Sequence, residues 1–109
     1  MTIQKWVLGN WKMNGRKATN QALLSQLGQI QTHPDVAIGV AVPYPYLGLA
    51  LQDATVLLVG AEDVSQFAND GAYTGEVSAQ MLADIGSQFV LIGHSERRQY
   101  FAETEAVLA

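Results

Sequence analysis

The sequence is 109 residues long, with 49% hydrophobic and 15% charged residues and a formal net charge of −4. That length holds one domain at most, and that composition excludes a disordered chain. The acidic balance argues against nonspecific nucleic-acid binding, and the absence of cysteine excludes disulfides, a thiol nucleophile and cysteine-bound metal.

No apolar run approaches the roughly 20 residues of a membrane span. The opening Met1-Thr-Ile-Gln-Lys-Trp6 lacks the apolar core of a secretory signal, so a cytoplasmic protein is expected. A first strand is predicted over about Lys5 to Asn10. Alternation along it puts Asn10 and Lys12 on one face, with Trp11 and Met13 on the other. A lysine at the end of a buried strand is notable because an unpaired buried ammonium is costly. The alternative is a side chain that snorkels to solvent.

The stripe Leu23, Leu24, Leu27, Ile30 predicts a helix from about Arg16 to Gln31, stopped by Pro34. His33 at that stop reads as a solvated helix-end residue, far from any strand's carboxyl end. Val36-Ala-Ile-Gly-Val-Ala-Val42 is a near-continuous apolar run, the mark of a parallel strand buried on both faces. Pro43 and Pro45 turn the chain into a short helix ending near Gln52. Leu47, Ala50 and Leu51 form its core face, and Tyr44 and Tyr46 read as packing.

Thr55-Val-Leu-Leu-Val-Gly60 is the third predicted strand. The next helix begins near Ser78, which can cap it. Met81, Leu82 and Ile85 form its expected buried face, and Gly86 supplies a left-handed stop. The connection between strand and helix exceeds the usual length of about 2–6 residues. Such a loop is functional or an interface, or else folds compactly on its own subunit. It carries Phe67 and Tyr73, with Gly71 and Gly75 at its tip.

The fourth strand is Phe89-Val-Leu-Ile92, ended by Gly93, with His94 at its carboxyl end. Parallel sheets carry their chemistry at that end; the alternative is a core histidine satisfied by a backbone carbonyl. Ser95 to Arg98 looks like a first helical turn. Glu96 is either a partner for Lys12 or Ser95, or a solvated turn acid. Arg97 and Arg98 read as structural, paired to acids such as Glu103 or across a subunit interface. A last helix starts at Glu103, with acids in its first turn.

Four strands alternating with helices call for a parallel sheet with right-handed crossovers. A small doubly wound sheet is one solution, but Trp11, Lys12 and Met13 stand where its glycine-rich phosphate loop would be. In a flat sheet the first and fourth strands lie about 14 Å apart, three spacings of roughly 4.8 Å. Lys12 and His94 could not easily grip one small substrate across that gap. Barrel curvature turns the strand ends toward a common centre.

Three blocks, Asn10-Trp-Lys-Met-Asn-Gly15, Gly71-Ala-Tyr-Thr-Gly-Glu-Val-Ser78 and Gly93-His-Ser-Glu-Arg-Arg98, resemble in this order the signature blocks of the triosephosphate isomerase family. One departure is Ala61-Glu62, where the family usually has Ala-Gln. The resemblance implies an α/β TIM (β/α)8 barrel, which needs about 250 residues. Residues 1–109 would be its first four βα units, the N-terminal half of a single domain with the C-terminal half absent.

The implied reaction interconverts dihydroxyacetone phosphate and D-glyceraldehyde 3-phosphate through an enediolate, a step of glycolysis and gluconeogenesis. His94 would be the electrophile: a neutral imidazole, the well-known case for this family, would donate to the carbonyl oxygen. Lys12 would set a cation near the developing oxyanion and the phosphate. Asn10 would bind substrate and position Lys12, with Ser95 and Glu96 as site support. Tyr73 and Thr74 would lie at the subunit interface of a homodimer.

In the family the base, a glutamate, lies in the second half, as do the lid and the phosphate-gripping turns. The chain alone is therefore expected to be inactive and to pair with a complementary C-terminal half. No cofactor or metal is implied. The expected ligand is a small phosphorylated triose, with no nucleic acid or membrane partner. A reading from another class is a non-catalytic half-barrel fragment, structural or engineered.

Overall fold

The computed structural model describes residues 5–31, 33–54 and 56–108. Its elements run β1 (Lys5–Asn10), α1 (Lys17–Leu27), β2 (Val36–Val42), α2 (Tyr44–Asp53), β3 (Leu58–Ala61), α3 (Ala79–Asp84), α4 (Ser95–Tyr100) and α5 (Glu105–Leu108). The apolar run of β2 takes the centre of a three-stranded sheet of order β1-β2-β3. Both pairings are parallel, with Asn10 opposite Ala41 and Val42 opposite Ala61. The carboxyl ends of the strands therefore finish level, and the segments after them share one rim.

α2 packs on β2 and β3, and α1 packs against α2. Val40 and Val42 of β2, Val59 and Ala61 of β3, Leu24 of α1, and Leu47 and Ala50 of α2 make the core. Proline within the first turn suits the start of α2, since its missing N–H has no helical partner there anyway. This arrangement of alternating strands and helices is a partial β/α barrel.

Several elements differ from expectation. α1 ends at Leu27, before Pro34, with Gly28 as its cap, so His33 lies beyond the helix and accepts the Asp35 N–H on Nδ1 at 3.2 Å. Leu24 is 3% exposed, but Leu23 is 41% and Ile30 39% exposed. Leu23 and Leu24 are about 100° apart around a helix, so one narrow contact line cannot bury both. In α3 only Leu82 is buried, while Met81 and Ile85 are exposed. Ser78 caps α3 through its side chain, accepting the Met81 N–H at 3.2 Å.

β3 begins at Leu58; Thr55 lies outside the described residues. The expected fourth strand is reduced to one parallel bridge between Ala61 and Val90. Ala61 donates to the Phe89 carbonyl at 3.1 Å, and Leu91 donates to Ala61 at 3.0 Å. The chain thus lies where a fourth parallel strand belongs, next to β3. Gly60 permits the approach, because a Cβ there would run into the carbonyl and ring of Phe89. Gly93, at φ +69°, then turns the backbone away. The last helix likewise starts at Glu105 instead of Glu103.

The helix-face assignment has a direct test. Leu47→Ala should destabilise the chain by about 2–5 kcal/mol, as for a buried leucine. Leu23→Ala should change stability by about 0.5 kcal/mol or less, as for an exposed position. Urea midpoints measure both, and equal losses would contradict the packing.

Candidate active site

Beyond Asn10 the chain leaves the ladder, so strand alternation does not place Lys12. A tight turn does. Lys12 has φ +56°, in the left-handed region that residues other than glycine rarely occupy. Asn10 Oδ1 accepts the Lys12 N–H at 3.0 Å. Trp11 N–H reaches the Ala41 carbonyl at 3.0 Å, and Asn14 Nδ2 donates to the Trp11 carbonyl at 2.9 Å. These bonds hold a backbone conformation that costs on the order of 1–3 kcal/mol.

From that turn Lys12 Nζ reaches Glu96 Oε1, 2.5 Å away on α4. The hydrogen bond and charge of Glu96 raise the Lys12 pKa, and the bond from Lys12 lowers that of Glu96. Both side chains are well exposed, so the pair fixes geometry more than it adds stability.

His94 caps the start of α4 by position, without a side-chain capping bond. Its Nδ1 lies 3.4 Å from Asn10 Nδ2. Its Nε2 contacts the Glu62 carbonyl and, at 3.2 Å, the Leu91 carbonyl. A ring protonated on Nε2 meets all three contacts, donating to the carbonyls and accepting from Asn10; the tautomer is assigned from these partners. Asn10 thus touches both the Lys12 turn and the His94 ring.

A cavity of about 390 Å³ opens at this rim, with Asn10, Lys12, Glu62, His94, Glu96 and Tyr100 among its lining residues. Asp63 and Arg97 also line it and are shared with a neighbouring cavity of about 490 Å³. Arg97 Nε bonds Glu103 at 2.7 Å and Asp63 at 3.2 Å, and its guanidinium lies 4.7 Å above the Phe101 ring. Arg98 pairs with Glu105 at 2.6 Å. The tyrosines tie α2 to this rim: Tyr44 donates to the Asp63 carbonyl at 2.7 Å and Tyr46 to the Gly15 carbonyl at 3.1 Å.

Ser95, Tyr73 and Thr74 do not line the Lys12–His94 cavity. Ser95 opens α4 and is exposed. Tyr73 stacks on Phe67, with ring centroids 3.9 Å apart and planes within 1°, and Thr74 stands exposed beside it.

Glu62 is the site residue that the sequence reading left without a role. It follows β3 directly, as Lys12 follows β1. The signal was available: an acid one step past a buried strand, at the end where His94 was sought. Its Oε2 is buried without a hydrogen-bond partner. Burial pushes its carboxyl up to about 7, against the opposing effects of the Lys12 backbone amide and the His94 charge. Burial also raises Asp63, with Arg97 opposing.

The triosephosphate isomerase family model matches residues 5–109. The chain belongs to the triosephosphate isomerase family. It is 50% identical to the triosephosphate isomerase of Neisseria meningitidis over 98% of its own length and 45% of that protein. It is 48% identical to that of Delftia acidovorans, over 97% of this chain and 44% of the relative, and 50% identical to that of Bordetella pertussis, over 94% and 42%. The chain thus spans under half the length of these relatives. Among the described residues no helix is long and apolar enough to cross a membrane.

The Glu62 environment predicts a pH dependence of folding. Its folded pKa, about 7, lies above the ordinary 4.5. The folded state therefore keeps a proton that the unfolded state releases. The resulting stability is present below about pH 4.5 and is lost as pH rises through about 7. Urea midpoints across this interval should fall for the parent chain and fall less for Glu62→Gln. Parallel profiles would show that Glu62 makes no such contribution.

Proposed function

We propose that this chain supplies the first four βα units of a (β/α)8 barrel that interconverts dihydroxyacetone phosphate and D-glyceraldehyde 3-phosphate. The observation that carries the reading is the convergence of Asn10, Lys12, His94 and Glu96 on one cavity, from the end of β1 and from the start of α4 that follows the Ala61–Val90 bridge. In a member of this family such a cavity suits a small phosphorylated triose.

The reaction moves a proton between adjacent carbons through an enediolate. His94 Nε2 carries the donor for the carbonyl oxygen. To act, it exchanges the Glu62 carbonyl for the oxygen of the substrate. Lys12 sets its cation where negative charge develops and where the phosphate enters. Asn10 steadies both, through its bond to the Lys12 backbone and its contact with His94. Glu96 holds Lys12 in place, and Ser95 begins the turn that presents Glu96.

No acid of this chain matches the family's base motif, so that base is assigned to the remaining half of the barrel. The two halves together would act in the cytoplasm. The loop carrying Tyr73 and Thr74 is the proposed contact with the second subunit of a homodimer. Without its complement the chain is the non-catalytic half-barrel of the alternative reading.

Two measurements test this. In the full-length protein, His94→Gln and Lys12→Met should each lower kcat/KM by roughly 10²–10³, the usual effect of losing one transition-state donor. Near-parental kcat/KM, with an unchanged circular dichroism spectrum, would refute the assigned role. The isolated chain should show no isomerase turnover in a coupled assay. Turnover by the chain alone that vanishes in His94→Gln would overturn the assignment of the base elsewhere.

A further inference from the structure

The charges around the Lys12–His94 cavity nearly cancel. Lys12 is engaged by Glu96 at 2.5 Å, and Arg97 by Asp63 at 3.2 Å. Both pairs, together with His94 and Tyr100, border the same cavity. They come from the turn after β1, the residue beyond Glu62, the end of the Ala61–Val90 bridge segment, and α4. Two cations and two anions leave no net charge. Glu62 is the remaining carboxyl on the lining, and its Oε2 has no partner.

We propose that Glu62 sets the affinity of this cavity for a phosphate ester: the protonated carboxyl leaves room for a dianion, and the ionised carboxylate repels it. The inference rests on the reading of the cavity as the substrate site. Its physical content is local. A carboxylate at the end of β3 adds one negative charge to a cavity whose other charges are already matched. The lysine beside it is held by Glu96, and the Lys12 backbone amide and His94, which both favour the carboxylate, do not outweigh its burial. Burial favours the neutral form up to about pH 7, so the change falls within the range where such an enzyme works. A glutamine at this position would make the anion affinity independent of this titration. Glu62 therefore acts as an affinity-setting residue.

The test uses sulfate, a dianion that does not itself titrate across the interval, bound to the full-length protein. Calorimetric Kd values are measured from about pH 5.5 to about pH 8.5, bracketing the Glu62 transition. For the parent protein the affinity should fall at least roughly tenfold, the size expected for one charge about 6 Å from a dianion even at the dielectric of water. Glu62→Gln should remove that step, and Glu62→Asp, which keeps the charge, should retain it. An equal step in parent and Glu62→Gln proteins would overturn the proposal.

If Glu62→Gln does not fold, the parent protein alone still decides. The affinity must drop in step with the 13C-carboxyl titration of Glu62, and a flat affinity while that carboxyl titrates refutes the claim. The isomerase assay is read separately. Absent turnover with a Glu62-dependent sulfate step would sink the functional reading but leave this one standing. Normal turnover with no such dependence would do the reverse.

Discussion

Asn10 stands opposite Ala41, and Val42 opposite Ala61. Because both ladders are parallel, these pairs bring three strand ends to one level. The backbone of β2 is bonded on both edges, and β3 cannot slip by one residue without turning its buried face outward; β1, expected as a buried strand, is instead exposed from Lys5 to Gly9 and is held by its ladder alone. The core of Leu24, Val40, Val42, Leu47 and Val59 then fixes the helices on one side of the sheet. Everything proposed for the rim inherits its position from this register. Trp11 bonds Ala41, and Leu91 bonds Ala61, so the segments carrying Lys12 and His94 are both tied to it.

The rim itself is organised by a few polar contacts. Asn10 spans two segments that are 84 residues apart in sequence. It holds the left-handed turn at Lys12 from one side and meets His94 on the other. Lys12 then crosses to Glu96. A strained backbone residue at such a place is characteristic of sites where side-chain direction matters more than local stability. The arginines behave differently: Arg97 and Arg98 are absorbed by Asp63, Glu103 and Glu105, and so brace the α4 corner without facing a ligand as free cations.

Much of this was legible in the residues. β2 was readable to its ends because seven consecutive apolar residues, bounded by proline, allow little else. Ser78 announced a helix start, and Gly86 its stop, now seen at φ +99°. Lys12 and His94 stood out because polar groups at strand ends are where parallel sheets place chemistry. Periodicity could not say which edge of an apolar stripe meets a neighbour, so Leu23, Ile30, Met81 and Ile85 were expected inside and lie outside. Nor could it foresee the left-handed turn at Lys12, which depends on an acceptor supplied by Asn10. Glu62 was noticed as a departure, but its burial is a tertiary property that one position in a sequence does not carry. The fourth strand was placed correctly beside β3, yet it makes one bridge there before Gly93, at φ +69°, turns the backbone away.

Under the proposed function, this chain contributes Asn10, Lys12 and His94 to an isomerase site whose base lies in the other half of the barrel. The most direct measurement mixes the chain with a polypeptide comprising the second half of a family member's barrel and follows triose phosphate isomerisation in a coupled assay. Turnover should depend on both chains and saturate at equal stoichiometry. A well-formed equimolar complex that binds sulfate yet shows no turnover above the uncatalysed rate would contradict it.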